Sequence, residues 1–122
     1  MQSQRFTRSR RVRRRADFQQ AFGAGSRWHG RFVTLVIAQN TTETTRLGLV
    51  ASRKIGNAVT RNRAKRLMRE LFRRHVPAGS GPGLDLVMMP RREFFQADFP
   101  ALEHDFRSIL RRSATRSARD VR

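Results

Sequence analysis

The chain has 122 residues, 38% of them hydrophobic with nine Phe, so it can close one modest core and leaves no room for two independent domains. It has no Cys, which excludes disulfide staples and thiolate metal sites and suits a reducing, cytoplasmic setting. The formal net charge is +18; seven arginines fall in residues 1–15 and five in 111–122, yet +7 remains between them. A folded body that is itself basic, shaped for a polyanion, is therefore expected rather than basic tails on a neutral domain.

No run of about 18 apolar residues occurs, and no apolar stretch follows the N-terminal arginines, so neither a spanning helix nor a signal peptide is expected. Asn40-Thr41-Thr42 then reads as a chance glycosylation match. Lys54 and Lys65 are the only lysines. Guanidinium makes paired hydrogen bonds to phosphate and stacks on bases, but genome composition produces the same arginine bias, so the bias does not separate RNA from DNA.

In chain order, residues 1–13 are polar and arginine-rich and are expected to form a disordered basic tail, residues 14–113 a single α+β domain, and residues 114–122 a second basic tail. A short helix is predicted from about Arg14 to Phe22, where Phe18 and Phe22 lie four apart beside Ala21 and Gly23 and Gly25 provide the stop. Arg31 to Ala38 and Arg46 to Ser52 carry the β-branched and aliphatic runs of two antiparallel strands, with polar Asn40 to Thr45 between them. A loop over 53–57 precedes a long helix from about Ala58 to Val76, ended by Pro77. The Gly/Pro-rich stretch from Pro77 to Gly83 runs from helix to strand, the reverse of a phosphate-binding loop, and reads as a connector. Leu84 to Met89 is a buried-type strand whose one charge is Asp85, and Asp98 to Arg112 is an amphipathic helix with Pro100 in its first turn. This order predicts a single layer pair in which helices cover one face of a small mixed sheet.

The stretch from Ser52 to Glu70 is the most informative. At about 100° per residue from Arg61, Ala64, Leu67, Met68, Leu71 and His75 gather on one arc. Arg61, Asn62, Lys65, Arg66, Arg69 and Arg73 fill the adjoining arc, with Glu70 the one acid in the helix. A solvated surface helix mixes signs so that residues four apart support one another. Crowding cations costs helix stability, a cost that makes sense if phosphates neutralise the face. Before the helix, Gly56 allows a close turn and Asn57 can cap, leaving N–H groups free for anions beside Arg53 and Lys54.

This segment, Lys54-Ile55-Gly56-Asn57-Ala58-Val59 followed by Arg61-Asn62-Arg63, Lys65-Arg66 and Arg69-Glu70, resembles the signature of the bacterial ribonuclease P protein component. The similarity extends to the arginine-rich lead-in with Asp17-Phe18 and Phe22, to the element order and to the size, and leaves out only the tails. It implies an α+β fold with a small mixed four-stranded sheet and three helices in the order αβββαβα. It also implies a left-handed βαβ crossover, against the usual right-handed rule. It further implies contact with a catalytic RNA through Arg53, Lys54, Asn57, Arg61, Asn62, Arg63, Lys65, Arg66 and Arg69. A cleft between the first helix and the sheet would hold the single-stranded 5′ leader of precursor tRNA, with Phe18, Phe22, Phe32 and Leu35 as its candidate lining. Leu35 takes the place where the family commonly carries a Tyr, which this chain lacks, and Trp28 stands just before that strand. The implied partners are ribonuclease P RNA and precursor tRNA, with Mg²⁺ required by the RNA, no cofactor on the protein, and neither DNA nor a membrane.

Taken without the resemblance, Phe18 and Phe22 are open between a core stripe and an aromatic platform for bases, and Phe32 is open in the same way. A protein nuclease needs clustered carboxylates or a His-based acid/base pair. The nine acids are scattered singly and His29, His75 and His104 lie in different elements, so no catalytic or metal-binding residue is predicted on this chain. Cleavage, as the resemblance implies, belongs to the RNA. Two other classes compete: a ribosomal or chaperone-like RNA binder, and a DNA-binding regulator, for which the second helix of a helix-turn-helix is lacking.

Overall fold

From Val33 to Ala38 the chain is apolar or small on both sides of an extended backbone, a pattern satisfied by a strand covered on both faces. The computed structural model describes residues 10–76 and 83–120, with side chains as far as Thr115. Its elements are α1 (Arg15–Ala24), β1 (Ser26–His29), β2 (Val33–Gln39), β3 (Arg46–Leu49), α2 (Ala58–His75), β4 (Leu84–Pro90) and α3 (Phe99–Asp120). Short 3₁₀ turns occupy Arg53–Ile55 and Phe94–Gln96. The fold is thus α+β, three helices with one mixed four-stranded sheet of order β1-β2-β4-β3.

The two strands on either side of Asn40–Thr45 run antiparallel as expected, but they do not pair with each other. β2 and β3 are not neighbours: β4 lies between them, antiparallel to β2 from Val33↔Pro90 to Gln39↔Leu84 and parallel to β3. The two long apolar strands, β2 and β4, take the inner positions, leaving β1 and β3, with its Gly48 and Arg46, at the edges. Parallel neighbours need a long crossover, and β3-α2-β4 supplies one. β1, which the residues alone did not suggest, pairs antiparallel with β2, Trp28 opposite Leu35. Four mostly exposed residues carry too little alternation to announce a strand.

Helices cover both faces of the sheet rather than one. On one face Val33, Leu35, Leu47, Leu86 and Met88 pack with Ala64, Met68, Leu71 and Phe72 of α2 and Leu102, Phe106 and Ile109 of α3. On the other, Val36, Ala38 and Val87 meet Ala21 and Phe18 of α1. Phe72, Phe94 and Phe106 are wholly buried, each worth about 1.5–3 kcal/mol by transfer from water. The Asp105 carboxylate accepts from the backbone N–H groups of Arg31, Phe32 and Val33 at 2.7, 2.8 and 3.1 Å, pinning α3 to the start of β2.

Both expected tails are shorter than the sequence suggests. α3 continues to Asp120, past the expected end at Arg112. Residues 10–12 are tied to the fold: Arg10 and Val12 are buried, the Val12 N–H donates to the Leu47 carbonyl at 2.8 Å, and Arg11 bridges to Leu47 in parallel. Arg10 reaches under the sheet, donating to the Val76 carbonyl at 2.8 Å and lying 4.6 Å from the Phe72 ring centroid. A single valine among arginines gives no periodic signal, yet the open edge of β3 offers it a backbone partner. The rest of the N-terminal tail and the connector through residue 82 lie outside the described residues.

Candidate nucleic-acid interface

Local backbone chemistry sets where α2 begins. Gly56 has φ 144°, a region open to glycine, which turns the chain out of the 3₁₀ turn. Asn57 then caps, its Oδ1 accepting from the Thr60 N–H at 2.9 Å. Arg53, Lys54 and Asn57 are exposed around this helix start, as the sequence requires of an anion-facing terminus. Arg61 folds back, Nη1 donating to the Gly56 carbonyl at 2.9 Å, which holds its guanidinium beside the loop while leaving its charge uncompensated.

The cations of α2 spread over three sides. Asn62 and Arg66 point to solvent; Lys65 and Arg69, half-buried, turn toward residues 11–13 and α1; Arg63 lies on the opposite flank, 5.7 Å from the centroid of Phe95. Among the described residues the ion pairs of α2 are confined to its last turns. Glu70 pairs with Arg73 and with Arg74 (3.0 Å), and Glu103 of α3 with Arg74 (3.6 Å), while His75 Nε2 lies within hydrogen-bond distance of Glu103 Oε2 at 2.9 Å. Hydrogen bonds from Arg73, then Arg74, pull the Glu70 carboxyl below its ordinary range. The helix is therefore neutralised internally near its C-terminus and left cationic over its first three turns. His75, expected to pack at the helix end, does so 6.2 Å from Phe106.

Next to this face lies a trough between α1 and the sheet. One hollow of about 520 Å³ is walled by Arg11, Arg13, Phe18, Lys65 and Arg69. A second, about 500 Å³, shares Phe18, Arg13 and Lys65 and adds Arg15, Phe22 and Val50. A third, about 240 Å³, continues from Val50 to Thr34 and Arg27 at the β1 side. Phe18 packs closely against the sheet because residue 48 is glycine: a Cβ there would stand 2.7 Å from its Cε1. Phe22 is 39% exposed with Arg27 5.9 Å from its centroid, an aromatic face open to solvent and flanked by a cation.

The other two aromatic-cleft candidates are corrected. Leu35 is fully buried and Phe32 nearly so, both in the core with α2 and α3, on the face away from Phe18 and Phe22. Trp28, paired with Leu35, packs against that same core and does not stand in the trough. A strand reverses side at every residue, so an assignment one place off puts a side chain on the wrong face. Thr34 is the β2 residue that lines the trough. The trough residues missed from sequence are Thr34, Arg27, Val50 and the cations Arg11, Arg13 and Arg15. The period of two along β2 was the available signal for Thr34; the arginines had none.

The acids serve the fold. Besides Asp105, Asp85 takes a paired hydrogen bond from Arg46 at 2.8 and 2.7 Å, and Asp98 accepts from Ala101 N–H at 3.0 Å at the start of α3. The hydrogen bond to Asp85 raises the Arg46 guanidinium above its ordinary value. His29 Nδ1 lies 3.2 Å from Thr34 Oγ1. Among the described residues no three of His, Asp or Glu stand close enough to hold a metal ion, and no helix is long and apolar enough to cross a membrane.

A small α+β body with a cationic helix face running into an aromatic, arginine-walled trough has the charge and shape expected of a polyanion-binding protein. The sequence profile of the Ribonuclease P family matches residues 6–114. The chain is 36% identical over 114 residues to the ribonuclease P protein component of Thermotoga petrophila, covering 88% of this chain and 94% of that one. It is 27% identical over 108 residues to that of Clostridioides difficile, covering 88% and 95%. Among solved structures, the RNase P protein of Thermotoga maritima matches with TM-score 0.71 at 34% identity over 84% of this chain and 96% of that one. The Staphylococcus aureus protein matches with TM-score 0.75 at 27% identity over 85% and 94%. The chain belongs to the ribonuclease P protein family, whose members are subunits of an endoribonuclease.

Proposed function

We propose that this chain binds the catalytic RNA of ribonuclease P through α2 and the loop before it, and holds the 5′ leader of precursor tRNA in the trough. The observation that carries this reading is the continuity of the two surfaces: Lys65 belongs both to the arginine helix and to the wall that Phe18 and Phe22 complete. Single-stranded RNA is held by aromatic faces for its bases and cations for its phosphates, and Phe22 beside Arg27 supplies one of each. A folded RNA is met instead by Arg53, Lys54 and Asn57 at the helix start and by Asn62 and Arg66 beyond it.

The chain's own part in cleavage is electrostatic and positional. Two RNAs brought together repel, and a basic body between them lowers that repulsion, which favours substrate binding and the Mg²⁺ that the RNA requires. The reaction itself, removal of the leader to give the mature tRNA 5′ end in the cytoplasm, is assigned to the RNA. Adding the purified chain to transcribed ribonuclease P RNA and precursor tRNA at low Mg²⁺ should increase leader release. An unchanged rate would overturn the proposal.

A further inference from the structure

Three large apolar side chains are conspicuously exposed among the described residues: Phe22 at 39%, Val59 at 78% and Phe95 at 38%. Phe22 belongs to the trough. The other two bracket Arg63, since Val59 lies one turn before it on the same side of α2 and Phe95 lies 5.7 Å from its guanidinium carbon. Scattered exposed apolar residues are ordinary and carry no argument alone. Phe95 differs in being fixed. It sits in the 3₁₀ turn after β4, and the wholly buried Phe94 meets it edge to face, centroids 5.1 Å apart at 87°, so the ring is braced from behind without being covered.

We infer that Phe95 and Arg63 form a stacking site for an unpaired base of the same structured RNA that α2 binds. The inference rests on that reading of α2 and extends it to a flank beyond the phosphate-binding arc. The surroundings argue for a nucleotide. Arg63, exposed, stands 5.7 Å from the ring centroid, and Arg92 is exposed three residues before Phe95 in the chain, so an occupant that is both flat and anionic matches the site. A base can take the exposed side of the ring where the Arg63 guanidinium now stands 5.7 Å from the centroid, with Arg63 swinging onto the phosphate or stacking on the base itself.

The test is filter binding of the full-length chain to transcribed ribonuclease P RNA across a salt series, comparing wild type with Phe95→Ala, Phe95→Leu and Phe95→Trp. Loss of one stacked base should weaken binding by about fivefold to a hundredfold in Phe95→Ala. The loss should be equal at every salt concentration, because no phosphate contact is removed. Phe95→Leu should show a similar loss, and Phe95→Trp should bind like wild type. Thermal melts establish that each variant is folded, and if Phe95→Ala is not, the Leu and Trp pair decides. Wild-type affinity in Phe95→Ala or Phe95→Leu, or a loss that varies with salt as an arginine deletion does, would overturn the stacking site alone. A wild-type chain that binds the RNA without salt dependence would instead overturn the reading of α2.

Discussion

Replacing Arg66 and Arg74 by alanine, one at a time, separates a helix whose charges serve RNA from one whose charges serve the fold. Both are exposed arginines on α2, but Arg74 is answered by Glu70 at 3.0 Å and Glu103 at 3.6 Å, whereas Arg66 lies outside that ion-pair group. Each phosphate contact contributes about 0.9 to the slope of log affinity against log salt on a duplex-like polyanion. Arg66→Ala should therefore flatten the slope by about 0.9, and its penalty should shrink by about 3.5-fold between 50 and 200 mM salt. Arg74→Ala should leave the slope unchanged, because an arginine already paired with carboxylates neutralises no phosphate and so releases no counterion from the RNA. Filter binding to transcribed ribonuclease P RNA over that salt range reads both. Equal flattening by the two variants would refute the division of α2 into a cationic front and an internally paired end.

Three further outcomes follow from the geometry. Asp105→Ala strands three backbone N–H groups at the start of β2 and should cost about 3–5 kcal/mol in urea denaturation; a loss under 1 kcal/mol would mean that α3 is held otherwise. Phe22→Ala should weaken binding of leader-bearing over leaderless precursor tRNA with little change in stability, while Leu35→Ala, at a fully buried site, should cost about 2–5 kcal/mol with no specific effect on the leader. Because the Glu70 carboxyl is held below its ordinary value, its contribution is complete above about pH 4.5 and fades as pH falls through the lowered value. The melting-temperature gap between wild type and Glu70→Gln should accordingly close in acid, and a gap that persists there would contradict the pairing. That gap should be small, since the pairs are a third or more exposed.

What local chemistry dictates was legible in the residues themselves. The caps, breakers and period of α2 gave its start at Ala58 within the first turn, and the near absence of acids marked its outward face, because a helix's sides are set by 3.6-residue geometry without reference to the rest of the chain. The exposure of Arg53, Lys54, Asn57, Asn62, Arg63 and Arg66 agrees with that reading. Phe18 and Phe22 could be named as candidates but not decided, since an aromatic pair four apart looks alike against a core and beside a trough.

Only the tertiary structure decided which side of the sheet each β2 residue meets and which strand lies beside which. Strand faces alternate with every residue, so a shift of one exchanges Leu35 for Thr34, and nothing local fixes the choice when both sides are covered. The placing of β4 between β2 and β3, and the capture of Arg10 to Val12 along the β3 edge, rest on backbone hydrogen bonds between segments far apart in sequence. Such bonds carry no side-chain signature, which is why Arg11, Val12 and Arg13, which read as a tail, became one wall of the site.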